Sequence, residues 1–288
     1  MEQKIAVLSD SHGNSTALQA AIDDATAQGA SEFWTLGDIA FGGATSEECL
    51  QLLDQVNLTQ VLMGNWESDF NQEMTQPNWD LSDPTNVYFT VLVKYENEHL
   101  SAKHRQQLVH LPMSGRKQVG DLLFSLSHNL PGQNHGHSLY PTQPQANFDQ
   151  LALDSAIDVA IYAHIHSPLW RYSDQGQIIL NPGAVGRPWN TRAKLLQNRA
   201  ASYLLLTVND TGLAKVDFRR AAYDLNIELQ KGRDRGFPYV DLEQKQLLTG
   251  HSSTHNTALL AEINAKRGYD KLAAKYLNEL KEQTRAAQ

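Results

Sequence analysis

Seven side chains in this sequence have the chemistry of metal ligands and recur in one kind of place. Asp10, His12, Asp38, Asn65, His128, His164 and His166 all stand at or just beyond the end of an apolar run. In DSH and HIH the two outer residues are separated by one position, so along an extended chain they point the same way and can serve one centre. Taken singly, each is ordinary. Asp or Asn after a strand is usually a cap or turn former, and a lone histidine is usually a satisfied core or loop residue. Taken together they outline a metal site. Oxygen and nitrogen donors without thiolate suit Mn, Fe, Zn, Ni or Co rather than Ca. Seven ligands exceed the needs of one tetrahedral zinc, so two ions are indicated.

The elements that must position these residues can be read from periodicity. KIAVLS is a β-rich run ending at Asp10, and NSTALQAAIDDATAQG has helical spacing with Asn14 as N-cap and Gly29 as stop. EFWTLG ends at Asp38 and precedes a helix opening at Ser46, and LTQVLMG leads to Asn65. Strands alternating with helices predict right-handed βαβ units and a parallel sheet, whose ligands bind outside the carboxyl ends of the strands. Residues 69–118 predict a partly helical lobe, with helix-like pieces around VYFTVLVKYENEHL and SAKHRQQLVHLP, followed by a turn at SGRKQVGD. LLFSLSH, AIDVAIYAH and QIILNPG read as strands, and SYLLLTVNDTGLAKVDFRR as a hairpin about NDTG. Beyond Arg220 the chain turns charged and helical. The expected division is 1–250 for the main domain and 251–288 for a C-terminal helical extension. Leu259, Leu260 and Ile263 of that extension must pack on the same domain or on a second subunit, which makes a homo-oligomer conceivable.

Composition narrows the function further. The chain has 288 residues, 41% of them hydrophobic, enough to fill a substantial core. Its 24 basic against 32 acidic residues give a net charge of −8, spread along the sequence, which opposes a long nucleic-acid groove or attachment to an anionic membrane. The single cysteine, Cys49, permits no intrachain disulfide or thiolate cluster and reads as a small buried helix residue. The N-terminal apolar run is too short for a secretory signal, and no run of eighteen apolar residues occurs, so a cytoplasmic location is expected.

In chain order, DSHGN, GDIAFGG, GNWE, SH and HIH resemble the pattern of the calcineurin-like metallophosphoesterase superfamily: D-x-H, G-D, G-N-H-D/E, a lone H, then G-H-x-H. The resemblance runs from about residue 4 to residue 190. It implies a four-layer αββα sandwich, two facing mixed sheets flanked by helices, which agrees with the α/β reading above. It assigns Asp10, His12 and His166 to one metal, Asn65, His128 and His164 to the other, and Asp38 as the bridge, with Mn or Fe favoured. The opening SDSHGN and NPGAVGRP are similar to the compact prokaryotic phosphodiesterases. The C-terminal AAYDLNIELQ and GFPYVDLEQKQLLTG are similar, less specifically, to the bacterial branch with asymmetric diadenosine tetraphosphate hydrolases.

Three departures from the pattern stand out, one of them SHNLPG where a plain His-Gly is usual. Ala163 replaces a glycine, a small change, but Trp66 stands where many relatives carry a histidine that stabilises charge or protonates the leaving oxygen, and indole cannot act as that acid. The implied activity is attack by a metal-bridging hydroxide on a phosphodiester or nucleotide pyrophosphate. A phosphomonoesterase is the alternative, and a protein-binding scaffold of the same fold is the non-enzymatic one. Within the site, Asp38 and His128 would help activate the water. Asn14 and Arg187 are candidates for phosphate binding, Trp66 for a pocket wall, and Glu67 and Asp69 for orienting ligands. The loop PGQNHGHSLY offers His135, ahead of His137, as a replacement proton donor. His99, His104, His110, His251 and His255 read as surface or packing residues.

Overall fold

The computed structural model describes residues 2–190 and 192–286. Its framework is a pair of facing five-stranded mixed sheets. In the first, β1 (Gln3–Leu8), β2 (Glu32–Thr35) and β3 (Leu58–Val61) run parallel, and β9 (Ala201–Asn209) and β10 (Gly212–Ala221) extend it antiparallel beyond β1. In the second, β5 (Leu122–Ser127), β6 (Val159–Ile161) and β8 (Ile178–Asn181) are parallel. Their antiparallel flanks are β4 (Ser114–Val119) and β7 (Leu169–Tyr172). Burial on both faces explains the unbroken apolar run IAVL in β1. One set of alternate residues, including Ile5, Val7, Trp34, Phe124, Leu126, Ile161, Leu204 and Leu206, meets between the sheets.

Helices cover the outer faces and complete the four layers. Against the first sheet lie α1 (Ser15–Ala27) and α2 (Ser46–Leu53), which bury Ala17, Leu18, Ala21, Leu50 and Leu53. Against the second lies the short α6 (Gln145–Asp149), which buries Phe148, followed by the buried Leu151. The expected αββα architecture is therefore present. SGRKQVGD, expected to be a turn, instead forms β4 and the tight turn into β5. Its alternating burial is what an edge strand shows, and its polar side chains hid the pattern. α3 (Asn65–Thr75), β7 and α8 (Leu225–Asp234) had no strong periodic signal in the sequence.

The partly helical lobe holds α4 (Pro84–His99) and α5 (Ala102–Val109), the former started by the Asp83 cap and Pro84 in its first turn. The C-terminal helices α9 (Val240–Thr249), α10 (Thr257–Arg267) and α11 (Tyr269–Ala286) join this lobe. Val87, Tyr88, Val91, Phe237, Tyr239, Leu260 and Ala273 make one cluster, with Ile263 packed against it. The apolar face of the extension is thus covered by α4 of the same chain, and residue 250 marks no break in packing. No helix among the described residues is long and apolar enough to cross a membrane.

Candidate metal centre

Five segments at one edge of the two sheets, those following β1, β2, β3, β5 and β6, carry the expected ligands, and hydrogen bonds lace several of their backbones together. Asp10 N–H donates to Gly37 O (3.0 Å), His12 N–H to Asp38 O (2.9 Å) and Gly13 N–H to Ile39 O (2.9 Å), joining the loops after β1 and β2. Val185 and Gly186 donate to Ser9 and Asp10 carbonyls, which brings the segment after β8 against the first loop. Such close approach explains two glycines. A Cβ on Gly64 would overlap the Asp38 carboxylate, and one on Gly186 would overlap the Ser11 carbonyl.

The backbone bends sharply where the ligands sit. Asp10, His12, Asp38, His164 and His166 all have positive φ, between 46° and 66°. Seven non-glycine residues among those described do so, and five of them are expected ligands. Strain of this kind persists only where surrounding structure over-determines it, and it concentrates at functional sites. Glu67 supplies part of that constraint. Its buried carboxylate accepts from Asp38 N (2.9 Å), Ile39 N (2.8 Å), Ala40 N (3.1 Å) and Gly64 N (2.9 Å), so it shapes the loop that presents Asp38.

All seven expected ligands converge. Asp10, His12 and His166 offer donor atoms within 4.8 Å of one another, and Asp38, His128 and His164 do the same. Asn65, in the first turn of α3 rather than at a strand end, places Oδ1 3.3 Å from His128 Nε2. Asp38 stands between the groups: its Oδ2 is 3.6 Å from His12 Nε2 and 3.4 Å from His128 Nε2, while Oδ1 accepts from Trp66 N–H at 3.0 Å. Carbonyls orient the imidazoles. His12, His128 and His166 turn Nδ1 to Phe41 O (3.1 Å), Leu36 O (2.7 Å) and Arg187 O (2.8 Å), leaving each Nε2 lone pair directed inward. His164 uses Nε2 for Gly136 O (3.1 Å), which leaves Nδ1.

This donor set fits cations. His12 Nε2 and His166 Nε2 face each other at 3.1 Å, and both oxygens of the fully buried Asp10 receive no hydrogen bond. Lone pairs and anionic oxygens this close are mutually repulsive unless a positive charge lies among them. Burial opposes ionisation of Asp10 and Asp38, yet His166 beside the first and His128 beside the second hold both below the usual carboxylate range. Burial, reinforced by His128, pushes His164 down to about 4, so it is a neutral donor near pH 7.

A cavity of about 390 Å³ opens onto the two groups. Its walls include Trp66, Phe89, Tyr140 and Trp189, with His137, Asp69 and Arg187. Trp66 packs edge-on against His12 (ring centroids 5.5 Å apart) and against Phe89 (5.0 Å). His137 stacks on Tyr140 (5.1 Å), which meets Trp189 (5.8 Å). Three expectations change here. His135 is solvent-exposed and lies outside the cavity, whereas His137 lines it. Asn14 is committed elsewhere: Oδ1 accepts from Ala17 N–H as the cap of α1, and Nδ2 donates to Gly186 O and the Tyr223 hydroxyl. Arg187 is buried, tied to Gly42 O and to Glu243, with Cζ 5.9 Å from the Trp66 ring centroid, so it is a fixed wall rather than a reaching clamp. His255, read from sequence as a surface or packing residue, is on the cavity rim with Gln246, Ser252 and Thr254, although no local motif marks any of them.

Two sheets with an edge that gathers carboxylate, amide and imidazole donors define a metallophosphoesterase-type site, and comparison with known proteins agrees. The calcineurin-like phosphoesterase superfamily domain matches residues 3–211, and the chain belongs to that superfamily. An uncharacterised protein of Methanocaldococcus jannaschii is 24% identical over 247 residues, spanning 80% of this chain and 92% of that protein. Two solved structures share the fold across 86% of this chain and 99% of theirs. One is a metallophosphoesterase from Sphaerobacter thermophilus (23% identical, TM-score 0.66). The other is a hypothetical protein from Pyrococcus horikoshii OT3 (22% identical, TM-score 0.68).

Proposed function

We propose that this protein is a dinuclear metal-dependent phosphoesterase acting on phosphodiesters or nucleotide pyrophosphates, the latter including the diadenosine polyphosphate type. The observation that carries the reading is the pair of donor groups sharing Asp38 Oδ2 between them. Asp10, His12 and His166 would hold one ion, Asn65, His128 and His164 the other, and Asp38 would contact both. Two divalent ions so held would supply an activated water and neutralise phosphoryl oxygens.

The chain's own residues do the remaining work. Trp66 N–H fixes Asp38 Oδ1, so only Oδ2 is left to face the two groups. Carbonyl contacts at Nδ1 fix the orientation of three imidazoles and turn their Nε2 atoms toward the site. Trp66 and Phe89 wall the cavity and keep bulk water from one side of the site. With indole at position 66 no side-chain acid stands there, which favours pyrophosphates, and those diesters that release a weakly basic leaving group, over simple alkyl esters.

Hydrolysis of bis(p-nitrophenyl) phosphate and p-nitrophenyl phosphate, each with Mn²⁺ and with chelator, tests this reading. Metal-dependent turnover that favours the diester is expected, and Asp38→Asn should abolish it. Absence of turnover with every divalent metal, or turnover indifferent to Asp38→Asn, would refute it.

A further inference from the structure

We infer that the loop from Gly250 to Asn256, which joins α9 to α10 beyond the matched family domain, is the specificity wall of the cavity. The group it reads is a neutral heteroaromatic one of nucleoside type, carried on the phosphate. This rests on the phosphoesterase reading for the place of the phosphate, and on the loop itself for the rest of the ligand.

The loop is built into the structure at both ends. Gly250 ends α9 in the left-handed conformation (φ 76°), and Asn256 caps α10 by accepting from Leu259 N–H at 3.1 Å. Within it, Lys245 Nζ donates to Ser253 Oγ at 3.2 Å, and the hydroxyls of Ser252 and Thr254 pair at 2.8 Å. The helix beneath is anchored beside the metal centre by the buried Glu243 to Arg187 ion pair. A segment pinned in this way presents its side chains in fixed positions, as recognition requires.

What it presents is hydrogen-bonding chemistry. Gln246 in the last turns of α9 and Thr254 and His255 in the loop bring an amide, a hydroxyl and an imidazole to the cavity that Trp66 and Phe89 also line. Among the described lining residues Arg187 is the single arginine or lysine, and Glu243 already pairs with it. Away from the metal centre the cavity therefore lacks the cations that an anionic substituent such as a carboxylate would need. Aromatic rings together with mixed donors and acceptors in one cavity match a base, which stacks by its plane and hydrogen-bonds by its edge.

The test compares the p-nitrophenyl ester of thymidine 5′-phosphate with methyl p-nitrophenyl phosphate in the wild type and in a Thr254→Ala, His255→Ala double variant, all with Mn²⁺. Calorimetric binding of adenosine 5′-monophosphate against methyl phosphate accompanies it. A wild-type preference for the nucleoside ligand of roughly tenfold or more is expected, the worth of one stacked and hydrogen-bonded base. The double variant should lose most of that preference, chiefly through KM. A wild-type preference below threefold, or equal losses on both ligands in the variant, would overturn the inference. Discrimination in binding without turnover of any ester would keep it and remove the phosphoesterase reading, and turnover without discrimination would do the reverse.

Discussion

Replacing Glu67 by Gln changes one atom and should damage the centre without touching a ligand. Oε1 accepts from Ile39 and Ala40 N–H, and Oε2 from Asp38 and Gly64 N–H, at distances of 2.8 to 3.1 Å. Whichever oxygen becomes NH₂, two backbone donors lose their acceptor and confront another donor. Hydrogen bonds to a charged group contribute about 1.5–3 kcal/mol each, so losing two costs roughly 3–6 kcal/mol. Relief of the repulsion between Glu67 and Asp38 offsets part of this, which places the expected loss near the lower bound. Against a total stability of roughly 5–15 kcal/mol that is severe. Burial and Asp38 push Glu67 up to about 7, so the comparison belongs at pH 8, where the carboxylate is ionised. Guanidinium unfolding of the chelated protein gives the stability, and Mn²⁺ calorimetry gives the effect on the Asp38 loop. A loss below about 1 kcal/mol with unchanged Mn²⁺ affinity would mean that the four N–H groups do not depend on this carboxylate.

Asn65→Ala removes an oxygen donor beside His128 and should lower Mn²⁺-dependent turnover by roughly a hundredfold at fixed metal, the scale of a misassembled centre. Trp66→Ala keeps the N–H to Asp38 and removes only the indole wall, so KM should rise more than kcat falls; matching kinetic changes in the two variants would contradict this division. Glu96 gives a pH prediction. It is buried, Oε1 accepts from Ser46 Oγ at 2.8 Å and Oε2 has no partner, and burial pushes its carboxyl up to about 8 from an ordinary 4.5. The native state thus holds a proton that the unfolded chain has lost, and this contribution declines as pH rises from 4.5 through 8. Glu96→Gln should therefore stabilise the chelated protein progressively more at pH 7 and 9 than at pH 5, read as the shift in thermal midpoint. A shift that does not grow with pH would show that Glu96 is not the group responsible.

The sequence made the seven candidate ligands legible because each belongs to a short local pattern at the end of a strand, and their common edge follows from parallel topology. Elements whose identity is set by tertiary packing were harder to read. β4 is polar because it is an edge strand, and α3 begins at the candidate ligand Asn65 with few apolar residues. Asn14 was ambiguous between cap and ligand until its amide protons were located on Gly186 O and Tyr223, a partner more than two hundred residues away. His255 reaches the cavity, and Glu243 reaches its wall residue Arg187, only through the fold of the C-terminal helices, so nothing local in their neighbourhoods could have marked them.

The distribution of strain separates two ways in which such a centre can be formed. A left-handed backbone costs a non-glycine residue roughly 1–2 kcal/mol, so five such ligands store about 5–10 kcal/mol, comparable with the net stability of a domain. If bound cations alone held these conformations, the chelated loops would relax. Yet the constraints visible at each position are protein groups: carbonyls of Gly37, Asp38 and Asp10 accept neighbouring amides, and Glu67 gathers four N–H groups around Asp38. Hydrogen bonds of this number are commensurate with the strain. The donors are therefore preorganised by the loop network. It follows that substitutions at Glu67 or Gly64, which touch no substrate, act on the same free energy as substitutions at the ligands themselves.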